Sequence, residues 1–312
     1  MGRVPLIVLV VLALLLSGGV ADAKTYRWVD ANGVVNYSDT PPPIQGVTGD
    51  RDALIEEALE LSGIKKQLAG LAAQVTQNTN LGKSPLDQKE RAALLQALAS
   101  AFGPEPILAT VRRALRNDYD PQLMGVFVAR LRTPTLRRLT AMEVEADTPE
   151  LAQKLPAFAA GLKGSPPPAE RMSRLVRLDA ATRTADYMLE LRGAIVRAGI
   201  RAVEPMLPPE RRPKPGVVDA AIASMIAQQR DVMRQEVLVL FLYVYRTATD
   251  AELDEYIAFE ESEAAQWFQG LYRRALIEGL TAASENAVRR IARALPAKRF
   301  SPPPLPEGPK TR

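Results

Sequence analysis

The apolar rhythm of the chain takes three forms along its length. Val4 to Leu16 is apolar throughout except for its proline, residues 25–38 alternate in the manner of strands, and from Asp52 onward apolar residues recur every three or four positions. The first run has 13 residues, where a membrane-spanning helix needs about 20. Arg3 precedes it, Ser17-Gly18-Gly19 breaks it, and Ala21-Asp22-Ala23 supplies an A-x-A cleavage pattern before Lys24. Residues 1–23 therefore read as a signal peptide cut after Ala23, with an uncleaved anchor as the alternative. The mature chain is expected to be periplasmic or secreted, with no stable membrane span.

Thr25-Tyr26-Arg27-Trp28-Val29-Asp30 and Val34-Val35-Asn36-Tyr37-Ser38-Asp39 flank Asn32-Gly33. Asn-Gly between two alternating runs predicts a β-hairpin, because its turn needs positive φ at both central residues. Thr40-Pro41-Pro42-Pro43 ends the second strand. A lone hairpin is marginal in water and must dock on something, so Trp28 and Tyr37 are its candidate anchors.

Beyond residue 50 the spacing predicts helices only. Leu54, Ala58, Leu61, Leu68, Leu71 and Val75 mark one face. Ser84-Pro85-Leu86-Asp87 and Thr148-Pro149-Glu150 have the form of helix starts, and Thr249-Asp250-Ala251-Glu252 that of a capping box. The box opens a stripe from Leu253 to Leu276 that predicts one helix of about six turns. The expected fold is mainly α, with two tandem all-α units behind a small hairpin module. The module and its Pro-rich linker fill 24–50, the first unit 51–163 and the second 170–294. Residues 164–169 form the seam, around Ser165-Pro166-Pro167-Pro168, and 295–312 a Pro-rich tail.

The duplication rests on motifs in the same order. Arg132-Thr133-Pro134-Thr135 has a counterpart in Arg246-Thr247-Ala248-Thr249, and Ala141-Met142-Glu143 in Ala258-Phe259-Glu260. Tyr26-Arg27-Trp28-Val29-Asp30, Gly33 and Tyr37-Ser38-Asp39-Thr40-Pro41-Pro42 together resemble domain of unknown function 4124, an N-terminal module of exported proteobacterial proteins. That family often has His before the second aromatic; Asn36 stands there, so any ligand role of that His is absent. Thr249 to Phe259 is similar to the helix start of domain of unknown function 2059, another exported all-α family, and Ala58 to Leu68 to its opening segment. Neither resemblance implies a reaction.

Composition narrows the chemistry. The chain holds no His and no Cys. This excludes Ser-His-Asp and Cys-His catalysts, Cys/His zinc sites, Fe–S clusters, disulfides and a lipid attached at Cys. No Gly-rich phosphate loop or nucleophile elbow occurs, and no cofactor is expected. The formal charge of +4 is too small and too evenly spread for a nucleic-acid grip.

Carboxylates are left as the candidate chemistry. Glu143 and Glu260 fall on apolar stripes, where a carboxylate must find a partner or stay protonated. One reading is a buried ion pair in each unit, Glu143 with Arg132 and Glu260 with Arg246. The other makes Glu260 the general acid of a glycan-cleaving enzyme. Asp250 to Glu263 holds seven carboxylates, yet it lies on a helix without the Ca²⁺-loop pattern and reads as a solvated face. Eight of the seventeen aromatics, from Phe241 to Tyr272, are expected to form the core of the second unit. The expected role is non-enzymatic binding of an envelope protein or glycan. An envelope-glycan hydrolase and a carrier of an apolar ligand are the alternatives.

Overall fold

A computed structural model describes residues 26–29, 35–38, 50–78, 87–148, 150–204, 210 and 212–294. The signal-like segment, the Asn32-Gly33 turn and the Pro-rich tail lie outside the described residues. The protein is mainly α-helical. Two strands of four residues, β1 (Tyr26–Val29) and β2 (Val35–Ser38), pair antiparallel ahead of the helices.

The helices are α1 (Arg51–Leu61), α2 (Ile64–Asn78), α3 (Gln88–Ala101), α4 (Pro104–Asn117), α5 (Pro121–Leu131), α6 (Pro134–Ala146) and α7 (Leu151–Leu162). Across 164–169 follow α8 (Ala169–Thr182), α9 (Thr184–Val203), α10 (Val217–Val244), α11 (Asp250–Glu260) and α12 (Glu263–Ala294).

Several helix starts follow local chemistry. Asp87 rather than Ser84 caps α3: its side chain accepts from the Glu90 amide at 2.8 Å, and the Asp87 amide donates back to Glu90 at 3.0 Å. Thr249 caps α11 by the same reciprocal pair with Glu252, as its spacing predicts. Asp120 accepts from the amides of Gln122 and Leu123 before Pro121 starts α5.

Two expected helices are each broken in two. The first turns at Ser62-Gly63, where Gly63 takes φ 76°. The second stops at Glu261-Ser262. There the Ser262 hydroxyl accepts the Ala265 amide at 3.3 Å, and the Gln266 side-chain amide donates to the Glu260 carbonyl at 2.5 Å. Both open ends are thus satisfied, and the apolar stripe passes through the break unchanged. Periodicity alone does not register such a break. A third elbow, between α8 and α9, turns through Arg183 at φ 41°. The left-handed region costs a non-glycine residue about 1–2 kcal/mol.

The core is one continuous cluster drawn from both sides of the 164–169 seam. Its axis is α12, 32 residues long and so about 48 Å at 1.5 Å per residue. This last helix packs on α3, α4 and α5 of the first segment and on α9 of the second. Its approach to α4 is close, because a Cβ on Gly279 would stand only 3.2 Å from Ile107 Cγ2. Phe127 of α5 stacks on Phe268 of α12 at 4.0 Å between ring centroids and lies 5.6 Å from Phe259. The aromatic group expected within the second unit is therefore built around a ring from the first.

Residues 88–117 are long and apolar enough to cross a membrane by length and composition. Phe102-Gly103 divides them into α3 and α4 of 14 residues each, about 21 Å apiece at the helical rise. The second of these buries Ile107, Leu108, Val111 and Leu115.

Charged ladders clamp the outer helices. On α1, Asp52, Glu56 and Glu57 meet Arg116, Arg112 and Arg132 in two-pronged pairs. On α8, Arg171, Arg174 and Arg177 meet Asp250, Asp254 and Glu261. Three carboxylates of the acidic run are thus paired to α8 while remaining partly open to solvent, and the local signal is the three-residue spacing of those arginines.

Glu56 supplies a test. Its hydrogen bond from Arg112, with help from Lys65, holds the carboxyl down at about 2, against an ordinary 4.5. A lowered folded pKa adds stability above the unfolded value, which is lost as pH falls from about 4.5 toward 2. Arg112→Gln is expected to cost about 0.5–1 kcal/mol at pH 7. Urea melts at pH 7 and pH 3 should show a smaller difference for the variant than for the wild type.

Candidate functional site

The two glutamates singled out by their position on apolar stripes come together. Glu143, near the end of α6, and Glu260, at the end of α11, line one pocket of about 50 Å³. Tyr256, Gln269, Tyr272 and Thr140 are among its other polar lining residues, with Phe127 and Phe268 beside them. Glu260 is 2% exposed and Glu143 8%.

Neither glutamate makes the expected ion pair. Glu143 Oε1 accepts the hydroxyl of Tyr245 at 2.6 Å and that of Tyr256 at 2.7 Å. Its expected partner Arg132 reaches Glu57 instead, at 2.7 and 2.8 Å. Arg132 sits at the α5–α6 elbow facing α1, whereas Glu143, two to three turns further along α6, faces the α10–α11 junction. Arg246 does not reach Glu260 either. Its guanidinium lies 4.6 Å over the Tyr243 ring, and it donates to the Tyr243 carbonyl at 2.7 Å. Glu260 Oε2 accepts the side-chain amide of Gln269 at 3.3 Å, among other contacts. Phenols and amides are cheaper to bury than guanidinium groups, which explains the substitution physically.

Burial dominates the electrostatics here. It pushes the Glu143 carboxyl above its usual range, and the two tyrosine hydroxyls pull it only part of the way back. Burial, then the Glu143 charge, raises Tyr245 and Tyr256 well above an ordinary phenol. The Tyr272 hydroxyl is buried without a hydrogen-bond partner among the described residues. Next to the pocket, Arg273 donates to the Thr182 carbonyl and lies 4.7 Å over the Tyr187 ring. Burial lowers the Arg273 guanidinium to about 10.

A carboxyl with a raised pKa beside a second carboxyl has the composition of an acid–base pair. The space does not match that role: a pocket of about 50 Å³ is well below the about 300–1,000 Å³ of small-molecule sites. Among the described residues, no group of three or more acidic side chains converges as a metal site. The side chains of Trp28 and Tyr37 are outside what the structure describes.

Residues 12–66 match the family described as Domain of unknown function (DUF4124). The match takes in the aromatic motifs at 26–42 and runs on through α1 to the start of α2. The likeness of the helical body to domain of unknown function 2059 is not part of it. No curated protein and no solved structure matches the chain.

Proposed function

We propose that this is an exported, non-enzymatic binding protein of the cell envelope. The observation that carries the reading is the confinement of Glu143 and Glu260. Both nominated carboxylates are occupied by the chain's own hydroxyl and amide groups, in a pocket of about 50 Å³. A glycosidase acid needs room for a sugar ring and a water or nucleophile on the other face. The signal-like segment with its cleavage pattern supports export.

The N-terminal module would be the docking ribbon. Its register sets Trp28 opposite Asn36 and Arg27 opposite Tyr37. Alternation along a strand would put positions 28 and 37 on opposite faces of such a ribbon. One aromatic would then seat the ribbon on the helical body and the other meet an envelope protein or glycan. The tandem organisation of 51–163 and 170–294 is a proposal about descent: each segment opens with a helix pair broken at a positive-φ residue, Gly63 and Arg183.

A peptidoglycan zymogram tests the central reading. No clearing is expected from wild type, Glu143→Gln or Glu260→Gln. Clearing by the wild type that disappears in Glu260→Gln would establish the hydrolase instead. Cell fractionation with intact-mass analysis tests export, the expected product being a periplasmic chain that begins at Lys24.

A further inference from the structure

The elbow between α8 and α9 carries more than a change of direction. Arg183 is the one non-glycine residue with positive φ among the described residues. The α1–α2 elbow makes its turn with Gly63, so a glycine would serve the geometry at 183 as well. What arginine adds there is its side chain, and that side chain lines a pocket of about 330 Å³. The volume lies at the lower end of the range of small-molecule sites, about 300–1,000 Å³.

Val176, Ala180 and Leu238 form an apolar wall; Asp179, Asp186, Arg183 and Arg234 supply the charge. Val176 is 53% exposed, an unusual place for a large apolar side chain in this protein. Both acids are engaged within the chain. Asp179 accepts the Ala185 amide at 3.0 Å, which caps the start of α9, and burial holds its carboxyl above the ordinary range. Asp186 Oδ1 stands 3.3 Å from Arg230 Nε, at ion-pair distance but outside hydrogen-bonding alignment.

The arginines are held far more loosely. Arg183 comes no nearer than 3.9 Å to Glu190, and Arg234 no nearer than 3.8 Å to Asp231. Asp231 is 94% exposed and strongly hydrated, a weak competitor for a guanidinium. Elsewhere Arg112, Arg132 and Arg177 each grip a carboxylate with two donors at 2.6–3.2 Å. Two half-exposed guanidinium groups with spare donors, above an apolar wall, match an anionic head attached to an aliphatic chain.

We propose that this pocket binds a carboxylate-headed aliphatic ligand, its head between Arg183 and Arg234 and its chain along Val176, Ala180 and Leu238. The assignment deepens the reading of the protein as a binder and rests on it.

Isothermal titration of the mature chain with octanoate, octanol and octylammonium tests the site. Octanoate should bind at least tenfold more tightly than either analogue, and the preference should shrink as salt is raised. Arg183→Gly and Arg234→Gln should each weaken octanoate binding at least tenfold. Arg183→Gly should leave the melting temperature unchanged or raised, because glycine relaxes the elbow. Octanoate binding no better than octanol would overturn the site. So would a preference for octylammonium, or wild-type affinity in both variants. A zymogram that clears would sink the binding-protein reading without altering this titration, and a flat titration would leave the zymogram result standing.

Discussion

Glu143→Ala is expected to lower the melting temperature of the protein by about 10 °C. The change strands two phenol hydroxyls, those of Tyr245 and Tyr256, which are buried at 1% and 4% exposure. Each buried donor left without an acceptor costs about 1–3 kcal/mol, so the pair accounts for about 2–6 kcal/mol before any cavity is counted. Glu143→Gln separates hydrogen bonding from charge, because the amide oxygen still accepts both hydroxyls. Its effect should be small and should depend on pH.

The sign of that dependence follows from burial. Glu143 has a folded pKa above its ordinary 4.5, so the folded state keeps a proton that the unfolded chain releases. The contribution of Glu143 is complete below about 4.5 and is lost as pH rises through the folded pKa. Wild type should therefore weaken on this account between mildly acidic and neutral pH, while Glu143→Gln should be flatter there. Denaturant melts at pH 5 and pH 8 compare the two. Equal slopes in both proteins would mean that Glu143 is ionised when folded.

A chain cut at the 164–169 seam is expected not to yield two folded halves. The fragment 51–163 would expose the part of α4 that packs on α12, where Ile107 meets Gly279. It would also lose the Phe268 ring against Phe127. Removing one such buried aromatic by Phe268→Ala costs about 3–5 kcal/mol in an intact core, and the fragment loses a whole helix. The full chain should melt in one transition, and the fragment should lack a cooperative melt and bind a hydrophobic dye. A sharp, native-like melt of 51–163 alone would establish independent units and refute the single core.

The helical class and the burial of Glu143 and Glu260 were readable from spacing alone, because a stripe at three and four residues is a local property. Their partners were not. Tyr245 and Tyr256 lie 102 and 113 residues from Glu143, on elements whose approach depends on tertiary packing. Arg132 and Glu143 belong to a motif shared between the segments, yet in the fold they face different neighbours, Glu57 and Tyr245. The breaks at Ser62-Gly63 and Glu261-Ser262 escaped because a capped break leaves the apolar stripe intact. The α8 arginines at 171, 174 and 177 share one helix face at three-residue spacing, and that face is a local clue to the clamp they form with Asp250, Asp254 and Glu261.

The position of α12 at the end of the described chain bears on the order of events in biogenesis. A nascent chain emerges from its N-terminus, and domains normally fold as they appear. Here the α3, α4 and α5 faces have no cover until residues 263–294 have been made. Their contacts with α12 join residues more than a hundred positions apart, which slows closure. On the proposed export, a precursor that must cross a membrane unfolded would gain from that delay, because this core would not close before α12 is present.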